Sequence, residues 1–155
     1  MIQSRYKDLL VFICVLAVLM IPIEPTTLKW PPKKPYTRYD IKCLAKNLYH
    51  EARGEPLEGQ IAVGYTVINR VKTKGWPISV CNVVYQSYQF SWTHQKPKEP
   101  KDLRYFENLA EYILAGIPKD YSRGALFYHS IKVKPHWAKH LHKTVRIGNH
   151  QFYRK

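Results

Sequence analysis

Two carboxylates, an imidazole and a guanidinium fall within seven residues in the stretch YHEARGE, residues 49–55. Glu51 sits where an apolar helical pattern stops, at the edge of the apolar stripe. A carboxyl in such a place is partly desolvated, which favours its neutral form and suits a general acid for glycoside cleavage. Arg53 and Glu55 are near enough in sequence to tune or orient it. The plain alternative is a charged, solvated helix end with Glu55 as a cap before Pro56. Spacing alone favours that alternative.

Other chemistries fit less well. The His50-Glu51 pair begins like the H-E-x-x-H motif of zinc peptidases, but Gly54 stands where the second His is needed. His136 and His140 have i,i+4 spacing, with His142 close by, yet no Cys, Asp or Glu follows Ser122 to complete a metal site. Neither a metal nor another cofactor is expected. Ser91, in QFSWT, lacks the G-x-S-x-G turn of a hydrolase nucleophile. Its neighbours Phe90 and Trp92 read either as a cleft wall or as core packing.

The elements that must position these groups follow from periodicity. Asp40 is the expected N-cap of a first helix over about 41–53, with Ile41, Leu44, Ala45, Leu48, Tyr49 and Ala52 at helical spacing. Gly54 ends it, and Glu55-Pro56 opens a second helix over about 57–74. That helix is apolar on nearly every side between Ile61 and Ile68, so it is expected to run through the middle of the domain. A helical turn near 78–85 precedes an extended loop. A third helix over about 101–115 lines Leu103, Phe106, Leu109, Ala110, Ile113 and Leu114 on one face. In the tail, ALFYHS reads as a strand, PHWAKHLHK as a short helical or loop segment, and VRIGNHQFYR as a second strand with a turn at Gly148-Asn149. The expected fold class is α+β, mainly helical, with a small β-hairpin or sheet.

At 155 residues the chain suits one folded domain. Hydrophobic residues make up 45% of it, which argues for a folded protein with disorder expected only near the N-terminus. Lys and Arg outnumber Asp and Glu by 25 to 11, a formal charge of +14, so the expected partner is a polyanion. Nucleic acid, anionic lipid and acidic polymers of a bacterial envelope all satisfy that sign.

Residues 9–23, LLVFICVLAVLMIPI, carry no charge and follow Arg5 and Lys7. They read as an apolar N-terminal helix, either a signal peptide or a short signal anchor, shorter than the ~20 residues of a straight transmembrane helix. The resulting division is 1–23 signal peptide or anchor, 24–39 Pro/Lys-rich linker, and 40–155 folded domain. Export to the periplasm or cell envelope is expected, with tethering to the inner membrane by residues 9–23 as the alternative to cleavage. In an oxidising compartment Cys43 and Cys81 would form a disulfide, the alternative being two buried free thiols.

Four segments then resemble, in order, the SleB/CwlJ-type cell-wall hydrolases, the family of the spore cortex-lytic enzymes. They are LAKNLYHEARGEPLEGQIAVGYTVINRV, WPISVCNVVYQSYQFSWT, ALFYHSIKVKPHWA and IGNHQFYR, covering about residues 44–154. The resemblance implies a lysozyme-like domain that cleaves the bond between N-acetylmuramic acid and N-acetylglucosamine in peptidoglycan, as a lytic transglycosylase or muramidase. It makes Glu51, the first Glu of EARGE, the general acid/base. It places Gln89, Phe90, Ser91 and Trp92 on one cleft wall and Tyr128, His129, Trp137, Asn149 and His150 on the other, with Arg53 and Glu55 also near the substrate. Peptidoglycan glycan strands are the implied partner, with no specific nucleic acid, and the chain is expected to act as a monomer. A short basic chain with such an N-terminal segment resembles a phage endolysin, a bacterial envelope enzyme being the other origin. Competing classes are a non-catalytic basic module binding wall or nucleic acid, and a wall amidase or peptidase.

Overall fold

Thr37, not Asp40, caps the first helix. Its hydroxyl accepts from the Asp40 backbone N–H while the Asp40 carboxylate accepts from the Thr37 N–H, a reciprocal capping box. Asp40 is therefore the third helical residue. The helix, α1, spans Arg38–Ala52 and begins three residues earlier than its apolar periodicity suggested. The computed structural model describes residues 36–155 apart from positions 96 and 99, so the signal or anchor expected over 1–23 and most of the 24–39 linker lie outside the described residues. Among the described residues no helix is long and apolar enough to cross a membrane.

The second helix, α2, spans Leu57–Lys72 and buries every residue from Ile61 to Ile68 except Tyr65, as its all-round apolar run requires. Pro56 is its N-cap, and no side chain caps it. The capping role expected of Glu55 is therefore not realised, because its carboxylate is engaged elsewhere. Gly64 lets three helices meet closely: a Cβ there would come within 2.7 Å of Ile113 Cδ1 and 3.4 Å of Leu48 Cδ2. Leu44, Leu48, Val63 and Val67 are fully buried, each worth about 1.5–3 kcal/mol relative to exposure.

After α2 come two short helices, α3 (Val80–Val84) and α4 (Trp92–Gln95), the second lying in what the sequence suggested as extended loop. The amphipathic helix α5 (Arg104–Leu114) packs on α1 and α2 through Phe106, Leu109, Ala110 and Ile113. A Cys43–Cys81 disulfide with a Cα–Cα distance of 5.3 Å ties α1 to α3.

The C-terminal part is a three-stranded antiparallel sheet in the order β1-β3-β2: β1 Phe127–Ser130, β2 His142–Ile147 and β3 His150–Arg154. A 3₁₀ turn over His136–His140 fills the connection between β1 and β2. Gly148, at φ +53, and Asn149 make the two-residue turn of the β2-β3 hairpin, where a positive φ favours glycine. The segment expected to be one strand with a turn is thus two strands. The fold is mainly helical with one small sheet.

Candidate active site

Strand alternation decides which C-terminal side chains meet Glu51. Tyr128 pairs with Phe152 and Ser130 with His150 on one face of the sheet; His129 pairs with Gln151 and Phe127 with Tyr153 on the other. The first face turns toward the helices. There the Tyr128 hydroxyl donates to Glu51 Oε2 at 3.0 Å, joining the last turn of α1 to the edge strand β1.

Glu51 is half-buried among these groups. Burial pushes its carboxyl above the usual carboxylate range, while the Tyr128 bond and the positive charge of Arg70 pull the other way. Burial, then the Glu51 charge, raises the Tyr128 phenol well above the ordinary tyrosine value. Tyr128 is thus a lasting donor that holds one oxygen of Glu51.

Arg70, on α2, escaped attention in the sequence. It is 4% exposed, and burial lowers its guanidinium to about 10, with Tyr128 and Glu51 drawing it back upward. Its Nε donates to the Leu126 carbonyl at 2.7 Å, just ahead of β1. The guanidinium lies over Trp76, with its carbon 4.5 Å from the ring centre, and near Phe90 and Phe127 at 5.5 and 5.9 Å. One terminal nitrogen of Arg70 has no hydrogen-bond partner among the described residues. The available signal was position: Arg70 follows Val63 and Val67 at helical spacing on a face that is otherwise apolar.

Glu55 is occupied with structure. Its Oε2 accepts the Asn149 backbone N–H at 2.8 Å and its Oε1 accepts the Asn149 amide at 3.1 Å, so it clamps the hairpin turn to the end of α1. His150 Nδ1 lies 4.0 Å from Glu55 Oε1, and burial holds the imidazole below its ordinary value although Glu55 draws it upward. Its ring meets Tyr128 edge-on at 5.0 Å. Arg53 points back along α1, with its guanidinium 4.8 Å from the Tyr49 ring centre.

The residues expected on one cleft wall separate by burial. Trp92 stacks on His50 at 4.5 Å and donates from its indole nitrogen to Asn47, one turn before Glu51. Phe90 is buried beside Arg70, Ser91 is exposed, and Gln89 is half-buried. Of the other wall, Tyr128 and His150 share the Glu51 side. His129 and Trp137 do not: His129 bonds the Tyr153 hydroxyl at 2.7 Å and packs against Trp137 on the opposite face of the sheet. Adjacent strand residues point to opposite faces, so Tyr128 and His129 could not share a wall. Among the described residues no group of three His, Cys, Asp or Glu is placed to hold a metal ion.

Residues 54–153 match the family model described as Cell Wall Hydrolase; Glu51 lies just ahead of the matched segment. The spore cortex-lytic enzyme of Bacillus subtilis (strain 168) is 39% identical over 56 residues, 36% of this chain and 18% of that protein. The protein of the same description from Oceanobacillus iheyensis is also 39% identical over 56 residues, 20% of its length. The match thus spans about a fifth of these curated relatives. The fold is similar to the catalytic domain of the germination-specific lytic transglycosylase SleB from Bacillus anthracis, with a TM-score of 0.69, 25% identity, and coverage of 79% of this chain and 100% of that one. The catalytic domain of the Bacillus cereus SleB protein gives 0.68 and 26%, covering 79% and 94%.

Proposed function

Because the chain belongs to the Cell Wall Hydrolase family, we propose that it is a peptidoglycan glycosidase acting on the bond between N-acetylmuramic acid and N-acetylglucosamine, with Glu51 as general acid and then base. The observation that carries this reading is the desolvated Glu51 carboxyl held through one oxygen by Tyr128. Its neutral form gives its proton to the glycosidic oxygen as the bond to the muramoyl anomeric carbon breaks. The carboxylate left behind is stabilised by the Tyr128 hydrogen bond and the Arg70 charge. It then takes a proton from the incoming nucleophile.

That nucleophile is the muramoyl 6-hydroxyl, which closes a 1,6-anhydro ring. The scheme needs one carboxyl, and it suits a site whose neighbouring acid, Glu55, is committed to Asn149. It also agrees with the description of the Bacillus anthracis relative as a lytic transglycosylase. With water as nucleophile, the same acid would make a muramidase. In this proposal residues 40–155 are the lysozyme-like catalytic domain. Residues 1–23 export it or anchor it to the inner membrane, residues 24–39 link the two, and the enzyme works in the envelope as an endolysin or a wall-remodelling enzyme.

The test is digestion of purified peptidoglycan by the full-length protein and by Glu51→Gln, with products read by mass spectrometry. Anhydromuramic ends from the parent alone are the expected result, while reducing ends would mean hydrolysis. Release of free peptides from intact glycan, no release at all, or equal release by Glu51→Gln overturns the proposal.

A further inference from the structure

The face of the sheet turned away from Glu51 carries a groove of about 500 Å³. His129, Gln151 and Tyr153 line it from the strands, and Lys134, Lys139 and Ala138 from the β1-β2 connection. Lys143 and Arg146 complete its edge on β2. Three residues apart, these two would point to opposite faces of a regular strand. A register shift between them changes that: Lys143 pairs with Tyr153 and Arg146 with Gln151, two residues that share the outer face. The irregularity places both cations side by side on the groove, the kind of re-aiming for which β-bulges are known.

No acidic side chain lines the groove, and none occurs anywhere from residue 121 to 155, where eight Lys and Arg do. The rest of its lining is His136 and an apolar patch of Ile131, Val133 and Pro135. Spaced cations over aliphatic patches match a short acidic peptide with methyl side chains better than a bare phosphodiester chain, which offers nothing to the apolar part.

We propose that this groove is a second, non-catalytic binding site for the carboxylate-bearing peptide arms of the wall polymer. The choice of occupant rests on the peptidoglycan reading above; the groove and its charge do not. The site holds the wall on one face of the sheet while the other face turns toward Glu51 through Tyr128. It also gives the basic C-terminal segment a use beyond nonspecific attraction, because Lys143 and Arg146 are aligned by backbone geometry.

The experiment measures binding of full-length Glu51→Gln protein in detergent to intact sacculi, to the same sacculi stripped of peptides by an amidase, and to single-stranded DNA. Lys143→Glu/Arg146→Glu is expected to weaken binding to intact sacculi by about tenfold, with less than a twofold change on stripped ones. Lys143→Gln/Arg146→Gln, checked by thermal melting, gives the same order of effects if the reversal variant fails to fold. Unchanged binding to intact sacculi in the folded variant overturns the proposal. So do equal losses on intact sacculi, stripped sacculi and DNA, which would mean a general cationic patch. A parent protein that binds intact wall but cleaves nothing would instead overturn the glycosidase reading and leave the groove standing.

Discussion

Tyr128 donates its phenolic hydrogen to Glu51 across 77 positions of sequence, from the edge strand to the last turn of α1. The bond favours the charged form of a carboxyl that burial drives toward the neutral one. Tyr128→Phe removes the donor and leaves burial less opposed, so Glu51 stays protonated to higher pH. The alkaline limb of the pH-rate profile on peptidoglycan is expected to move upward. The maximal rate should fall by roughly 10- to 100-fold, the value of a hydrogen bond to a developing charge. An unmoved limb would show that the titration seen in the rate is not that of Glu51.

Glu51→Gln separates catalysis from stability. Loss of the acid is expected to cut wall digestion by about 10²- to 10⁴-fold, while the amide can still accept from Tyr128. The native carboxyl is raised above its unfolded value, so between the two values the folded state binds more protons than the unfolded chain. Its contribution to stability is therefore whole at low pH and is lost as pH rises through the folded value. Glu51→Gln should then unfold at higher denaturant than the parent at pH 8, with the advantage closing toward pH 4. Equal denaturation midpoints at both pH values would contradict the desolvated carboxyl.

The Glu55–Asn149 clamp makes a different demand. Both Glu55 oxygens accept from one turn residue, and a Cβ at Gly148 would collide with Glu55 Oε2. A double-mutant cycle of Glu55→Gln and Asn149→Ala is expected to show a coupling of about 1–2 kcal/mol in denaturant unfolding. Gly148→Ala should cost at least as much, because it adds this collision to the roughly 1–2 kcal/mol of left-handed backbone strain. Additive losses from Glu55 and Asn149 would mean that the clamp is incidental.

Sequence showed the helices well because burial there follows one periodicity: α2 is apolar from Ile61 to Ile68 and is buried accordingly. It also pointed to Glu51, from the edge of α1's apolar stripe and from the EARGE resemblance. It misplaced helix caps, since Thr37 and Asp40 both cap well and only the three-residue offset to the backbone N–H selects between them. It grouped His129 with Tyr128 because motif adjacency carries no facing information, whereas the pleat does. The Lys143 and Arg146 alignment was hidden for a related reason: a register shift follows from pairing with β3, not from the strand's own residues.

Arg70 tests whether charge or position governs Glu51. Its Nε bonds the Leu126 carbonyl, and Leu126 in turn donates its backbone N–H to the Tyr153 carbonyl, so the guanidinium braces the start of β1 and hence Tyr128. Its positive charge also favours the ionised Glu51. Arg70→Met removes both effects and leaves the buried carbonyl unpaired, a loss of about 1–3 kcal/mol. Arg70→Lys keeps the charge but loses the planar fork and its contacts with Trp76, Phe90 and Phe127. Both variants should be destabilised in denaturant titrations, while only Arg70→Met should carry the alkaline limb of activity upward. If the two variants shift that limb equally, Arg70 acts on Glu51 by bracing the strand and not through its field.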